Sequence, residues 1–175
     1  KNKFKIELIF VDDGSSDNSY LIINNFIKKY NKYQSKKKIK MILIKSKTNL
    51  GKGSALKLGV KNSKNDWILT TDIDMSVSLF QLHEWINKKY ITNKFIVYFG
   101  SRNHKRSIVK TLIYRKMIGH IFNFLIFLVL GINLRDTQCG YKLYKKKTAK
   151  FIFSKLKNHG FIHDIELVMF FNSIK

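Results

Sequence analysis

Apolar and polar positions alternate along the first hundred residues with two periods. Residues 5–11 are an apolar, β-branched run that Asp12-Asp13-Gly14-Ser15-Ser16-Asp17 stops. Ile23, Phe26, Ile27, Tyr30 and Tyr33 then recur at helical spacing, with Ser16 or Asp17 placed to cap the helix. A basic linker through Lys38 leads to a second strand over 39–44. Asn49-Leu50-Gly51-Lys52-Gly53 opens a short helix whose Ala55, Leu56, Gly59 and Val60 share one face. The third strand, Asp66-Trp67-Ile68-Leu69-Thr70-Thr71, runs into Asp72-Ile73-Asp74. Ser78 and Gln81 predict a capping box for a helix that turns Leu79, Leu82, Ile86 and Tyr90 inward. A fourth strand over 95–99 meets Gly100-Ser101-Arg102. Strands alternating with helices predict an α/β domain with a largely parallel sheet.

The second half changes character. Residues 108–134 are aromatic and aliphatic, and 124–130 are wholly apolar. A helix over 118–134 would reach about 25 Å, short of the ~30 Å hydrocarbon core of a bilayer. It also carries His120 and Asn123, so lying along a membrane interface or packing on the domain is expected rather than spanning. Lys105, Arg106, Lys110, Arg115 and Lys116 would then meet headgroups. A closing amphipathic helix uses Ile165, Val168 and Phe171.

Composition adds a strong electrostatic bias. Thirty-four Lys and Arg against 11 Asp and Glu give a formal charge of +23, which attracts polyanions: nucleic acid, anionic headgroups or phosphorylated substrates. Tracts such as Lys36-Lys37-Lys38 and Lys145-Lys146-Lys147 also suit solvated loops and helix ends. Cys139 is the only cysteine, which excludes an internal disulfide and a thiolate zinc site. The chain has no Met at position 1 and no visible signal peptide; it is expected to be a piece of a longer protein with any anchor outside it.

Candidate chemistry gathers at the strand ends. In open α/β sheets, ligands bind beyond the carboxyl ends of the strands. Asp12-Asp13, 49–53, Asp72-Ile73-Asp74 and Ser101-Arg102 are all expected on that rim. If 72–74 is extended, Asp72 and Asp74 face the same way and can share a hard cation such as Mg²⁺ or Mn²⁺ with a diphosphate. Gly51-Lys52-Gly53-Ser54 fails the Walker pattern, with Ser46 in place of its first Gly, so its glycines are expected to admit a nucleotide closely. His83-Glu84 lacks the second His of a metalloprotease helix, and His159 and His163 are expected to be ordinary residues. Arg102, Arg115 and Arg135 flank the apolar stretch and suit paired hydrogen bonds to a lipid-linked phosphate. Asp164 and Glu166 open the last helix, where dipole compensation competes with a catalytic role.

Six elements carry a resemblance: Val11-Asp12-Asp13-Gly14-Ser15, Asn49-Leu50-Gly51-Lys52-Gly53, Asp72-Ile73-Asp74, Gly100-Ser101-Arg102, Asp136-Thr137-Gln138-Cys139-Gly140-Tyr141-Lys142 and Phe161-Ile162-His163-Asp164-Ile165-Glu166-Leu167. In this order they resemble the inverting GT-A glycosyltransferases of family 2 type, within them the branch that glucosylates dolichyl phosphate. The resemblance implies a GT-A fold, Rossmann-like with a mostly parallel central sheet, here truncated at the first strand. It implies one catalytic domain over 1–175, binding the nucleotide sugar through 1–104 and the acceptor, facing the membrane, through 105–175. Asp12 or Asp13 would hold uracil and ribose, and Asn49, Gly51, Lys52 and Gly53 would line the nucleotide pocket. Asp72 would lie by the ribose, and Asp74, with Asp72 beside it, would hold Mg²⁺ or Mn²⁺. Arg102 and Arg115 would bind the acceptor phosphate, with Arg135, Gln138 and Lys142 closing that side and Asp164 as a further catalytic carboxylate. The implied reaction moves glucose from UDP-glucose to dolichyl phosphate for N-glycan assembly, at the cytosolic face of the endoplasmic reticulum membrane, without nucleic acid. Met75 stands where such proteins commonly have Gly. The alternatives are a mannosyl transferase using GDP-mannose, a basic nucleic-acid-binding module, and an inactive membrane scaffold.

Overall fold

The computed structural model describes residues 4–33, 39–101, 121, 124, 127, 128, 131, 136 and 138–173 of the 175. The chain divides into two compact units, Lys1–Ile68 with Lys145–His163, and Leu69–Tyr144 with Asp164–Lys175.

In the first unit, β1 (Ile6–Asp12) and β2 (Ile39–Lys45) pair in parallel, from Ile6 opposite Ile39 to Asp12 opposite Lys45. Their β-branched content suits a pleated, half-buried surface. The crossover between them contains α1 (Ser19–Tyr33), and α2 (Lys52–Asn62) follows β2. Asp17 Oδ1 accepts the Ser19 N–H at 2.9 Å, so the expected cap forms. That hydrogen bonding to Ser19 holds the Asp17 carboxyl below the usual carboxylate range. The inward face of α1 is narrower than its periodicity predicts. Ile27 is buried, and Ile23 and Tyr30 are half-buried. Phe26 and Tyr33 are 53% and 71% exposed, because an α-helix turned toward one parallel pair buries a single stripe.

The same unit contains α4 (Lys146–Lys155), a helix the lysine run conceals. Ala149, Ile152, Phe153 and Leu156 are all buried, at the i, i+3, i+4, i+7 spacing of a core-facing stripe. Lys146 Nζ donates to the Lys64 carbonyl at 2.8 Å and lies 3.5 Å from Asp66. That part of the tract is anchored rather than solvated.

Strands β3 (Trp67–Thr70), β4 (Val97–Phe99) and β5 (Lys142–Lys145) form a sheet in the order β3-β5-β4. β5 runs antiparallel to β4, with Tyr98 opposite Leu143. The parallel expectation therefore holds for β1 and β2 and fails for this pair. In the second unit, α3 (Phe80–Asn87) begins with the Phe80 N–H on Ser78 Oγ at 3.2 Å. Leu82 and Ile86 are half-buried, whereas Leu79 and Tyr90, expected inward, are exposed. The core lies around β5 and α5 (His163–Ser173): Tyr141, Leu143, Tyr144, Leu167 and Val168 are buried. Trp85 meets Tyr141 edge-on at 5.6 Å, and Phe171 stacks on Tyr144 at 6.2 Å.

The apolar stretch 108–134 lies mostly outside the described residues. Ile121, Phe124, Phe127 and Leu128 within it are helical and exposed. Among the described residues, no helix is long and apolar enough to cross a membrane.

Candidate active site

Each unit carries its own cluster of the expected residues. In the first, the chain leaves β1 at two aspartates with different tasks. Asp12 is buried; its Oδ1 accepts the Ser15 N–H at 3.0 Å, and its Oδ2 has no hydrogen-bond partner among the described residues. Asp13 reaches across to the glycine loop, where Oδ1 accepts the Leu50 N–H at 3.1 Å and Oδ2 the Gly51 N–H at 2.6 Å. One carboxylate thus fixes the turn that opens α2.

Gly51 is required where it stands. Its φ is +98°, and a Cβ there would sit 2.7 Å from the His159 carbonyl oxygen. That carbonyl accepts the N–H groups of Gly53 at 2.6 Å and Ser54 at 3.2 Å, satisfying amides that a helix start leaves open. Ser54 Oγ and His159 Nδ1 lie 2.5 Å apart. Lys52 Nζ sits 5.8 Å from the Phe161 ring centre, and Asn49 is exposed. His159, expected to be an ordinary residue, is therefore structurally engaged with the glycine loop.

In the second unit, the run 72–74 departs from the extended form expected of it. The Met75 N–H reaches the Asp72 carbonyl at 3.2 Å, which makes 72–75 a turn, and Met75 has φ +52°. The alternation that would aim Asp72 and Asp74 together does not apply in a turn. Asp74 is exposed, with Oδ1 accepting the Ser76 N–H at 2.9 Å. The Asp72 carboxylate lies against Gly140: a Cβ on that glycine would come 2.5 Å from Oδ2 and 2.8 Å from Oδ1. Thr70, at the end of β3, donates its hydroxyl to the Gly140 carbonyl at 3.0 Å.

Lys142 and Asp164 form an ion pair at 2.5 Å, with only 1% and 4% of each residue exposed. Lys142 also donates to the Cys139 carbonyl at 2.6 Å. Burial pushes the neighbouring Tyr144 hydroxyl well above its ordinary value, and the Asp164 charge adds to the effect. Burial likewise pushes Tyr141 up to about 12. Gln138 is exposed, and Asp136 is buried. Arg102, Arg115 and Arg135 lie outside the described residues. Thr70, Gly140 and His159 are the contributors that periodicity gives no reason to single out; the Gly in the 136–142 element was the available signal.

The profile of Glycosyl transferase family 2 matches residues 1–153. The chain belongs to that family. Curated relatives in distant organisms carry one name. A dolichyl-phosphate beta-glucosyltransferase of Homo sapiens is 31% identical over 94% of this chain and 51% of its own length. One from Dictyostelium discoideum is 31% identical over 95% and 50%, and one from Saccharomyces cerevisiae is 29% identical over 93% and 52%. The chain spans about half the length of the curated relatives it matches. The α/β architecture with the parallel β1–β2 pair is the part of the family 2 fold described here.

Proposed function

We propose that the chain is part of a dolichyl-phosphate β-glucosyltransferase, which moves glucose from UDP-glucose to dolichyl phosphate with inversion. The observation that carries this reading is 31% identity to the human protein of that name over 94% of the chain. The fuller GT-A arrangement, a mostly parallel central sheet, belongs to the same proposal. So does a division into a nucleotide-sugar part, 1–104, and a membrane-facing acceptor part, 105–175.

Asp12 and the glycine loop make the donor side. A buried carboxylate oxygen without a donor is costly, and Asp12 Oδ2 fits an N–H supplied by a nucleotide base. Asp13 orders the loop 49–53 through the Leu50 and Gly51 amides. Mg²⁺ is usually held by one or two carboxylates together with substrate phosphates, which fits the exposed Asp74 and the adjacent Asp72. Mg²⁺ or Mn²⁺ bound there would offset the charge that gathers on the departing diphosphate. On the acceptor side, Arg102, Arg115 and Arg135 would grip the lipid phosphate, with Gln138 beside them. The exposed Ile121, Phe124, Phe127 and Leu128 fit a lipid-facing surface at the cytosolic side of the endoplasmic reticulum membrane.

The acceptor needs little activation. A phosphate monoester has a second pKa of about 6 and is mostly dianionic at neutral pH. Its oxygen attacks the sugar C1 from the face opposite UDP; the new C1–O bond forms as the bond to the β-phosphate breaks, and α becomes β. No strong general base is required, which agrees with Asp164 being engaged by Lys142.

The test is the full-length protein in membranes with radiolabelled UDP-glucose and dolichyl phosphate, with and without chelator. Labelled glucosyl lipid is expected, suppressed by chelation. Asp74→Ala should remove transfer and metal dependence together. Label from GDP-mannose but not from UDP-glucose would overturn the sugar assignment, and metal-dependent turnover in Asp74→Ala would overturn the metal role.

A further inference from the structure

Lys142 is an ammonium placed where ammonium groups are rarely found. It is 1% exposed, within a strand, and such a charge persists inside a protein only when paired. Its pairing is complete on three sides. Nζ donates to Asp164 Oδ1 at 2.5 Å and to the Cys139 carbonyl at 2.6 Å, and it sits 5.8 Å from the centre of the Phe99 ring. A bound substrate could reach it only by displacing one of these partners.

The contacts of Nζ lead outward to another task. The Cys139 carbonyl it holds begins the turn Cys139-Gly140-Tyr141. The Gly140 carbonyl in that turn accepts from the Thr70 hydroxyl at 3.0 Å, so the turn is held from both sides. The carboxylate of Asp72 rests on the bare α-carbon of Gly140; both oxygens and Cγ fall within 2.8 Å of where a Cβ would be. We propose that Lys142 is a positioning residue, whose hold on the Cys139 carbonyl and the Asp164 carboxylate sets the Gly140 turn and through it the direction of the Asp72 side chain. It acts without touching substrate. The placement of Asp72 on the donor rests on the function proposed above; the mechanical link from Lys142 to Asp72 does not.

Two variants and a ligand-free readout separate these claims. Lys142→Met takes the ammonium away from the buried Asp164 carboxylate and should lower the urea midpoint. Lys142→Met with Asp164→Leu removes both charges and should recover most of that midpoint. Neither variant can hold the Cys139 carbonyl. In the protein without ligand, the Asp72 carboxylate carbon signal in a ¹³C spectrum, assigned with Asp72→Asn, should therefore move in both. UDP-glucose binding by calorimetry should weaken at least tenfold in the refolded double variant, while the KM for dolichyl phosphate stays within twofold. An unmoved Asp72 signal in the stable double variant overturns the proposal, as does a selective rise in the KM for dolichyl phosphate. Wild-type protein that binds no UDP-glucose would defeat the functional reading instead, and the carbon signal would still decide the role of Lys142.

Discussion

Replacing Asp13 by Ala removes the single acceptor that two backbone amides share. The bonds at 3.1 Å from Leu50 and 2.6 Å from Gly51 both end on an ionised carboxylate. Hydrogen bonds to charged groups contribute about 1.5–3 kcal/mol each. The Leu50 contact is exposed and the Gly51 contact part-buried, which places their joint contribution at about 2–3 kcal/mol. In a chain of this size that corresponds to a fall in Tm of roughly 5–10 °C. Urea unfolding followed by far-ultraviolet circular dichroism measures it, with the slope checked to be unchanged. Asp13→Asn keeps one carbonyl oxygen in place and should lose about half as much. If Asp13→Ala unfolds within about 0.5 kcal/mol of the parent, or if Asn is as damaging as Ala, the carboxylate does not tie down the glycine loop.

Other expectations follow from single positions. Gly140→Ala pushes a methyl group into the Asp72 carboxylate, and a misplacement of about 1 Å in a reacting constellation can cost on the order of 10²-fold, so steady-state turnover should fall far more than the urea midpoint. Met75 has φ +52°, where a non-glycine residue costs about 1–2 kcal/mol; glycine's chain entropy returns about 0.5–1, so Met75→Gly should be neutral to slightly stabilising and Met75→Val clearly destabilising in the same assay. Tyr141 and Tyr144 bind their protons more tightly folded than unfolded, so the stability they contribute is complete below about pH 10 and drains as pH climbs toward about 12 and beyond. Absorbance titration at alkaline pH should find Tyr141 and Tyr144 ionising late, together with unfolding, with Tyr141→Phe and Tyr144→Phe each removing part of that late phase; the absence of any late phase would contradict this.

Local pattern made the first half legible and the second half much less so. The strands at β1, β2 and β3 and the helices between them follow from runs and periods that a short window contains. What failed needed longer reach. The antiparallel pairing of β5 with β4 joins residues more than 40 positions apart, and β5 itself is a four-residue strand rich in lysine. The α4 stripe of Ala149, Ile152, Phe153 and Leu156 has ideal spacing but follows three lysines, whose charge suggests an exposed segment. Lys142 was expected on the acceptor side because the resemblance marks it, while its ion-pair partner Asp164 lies 22 residues on, in another element. At the site, Asp12, Asp13 and the glycine loop were legible as a group because each follows a strand, where open α/β sheets bind ligands, and because the resemblance marks them. That Asp13 serves the loop itself, and that 72–74 turns rather than extends, depend on backbone geometry that residue types alone do not encode.

The first unit is assembled from two distant stretches of polypeptide, Lys1–Ile68 and Lys145–His163. During synthesis, β1, β2 and α2 emerge early, but the α4 stripe that covers α2 begins 87 residues after Asn62 and the His159 carbonyl that caps it comes 97 residues after. At about 5–20 residues per second, the ribosome leaves the unit unfinished for roughly 5–20 s. Over that interval the apolar face that α4 will cover stands open, so this half of the molecule cannot close before its last stretch of chain has left the ribosome.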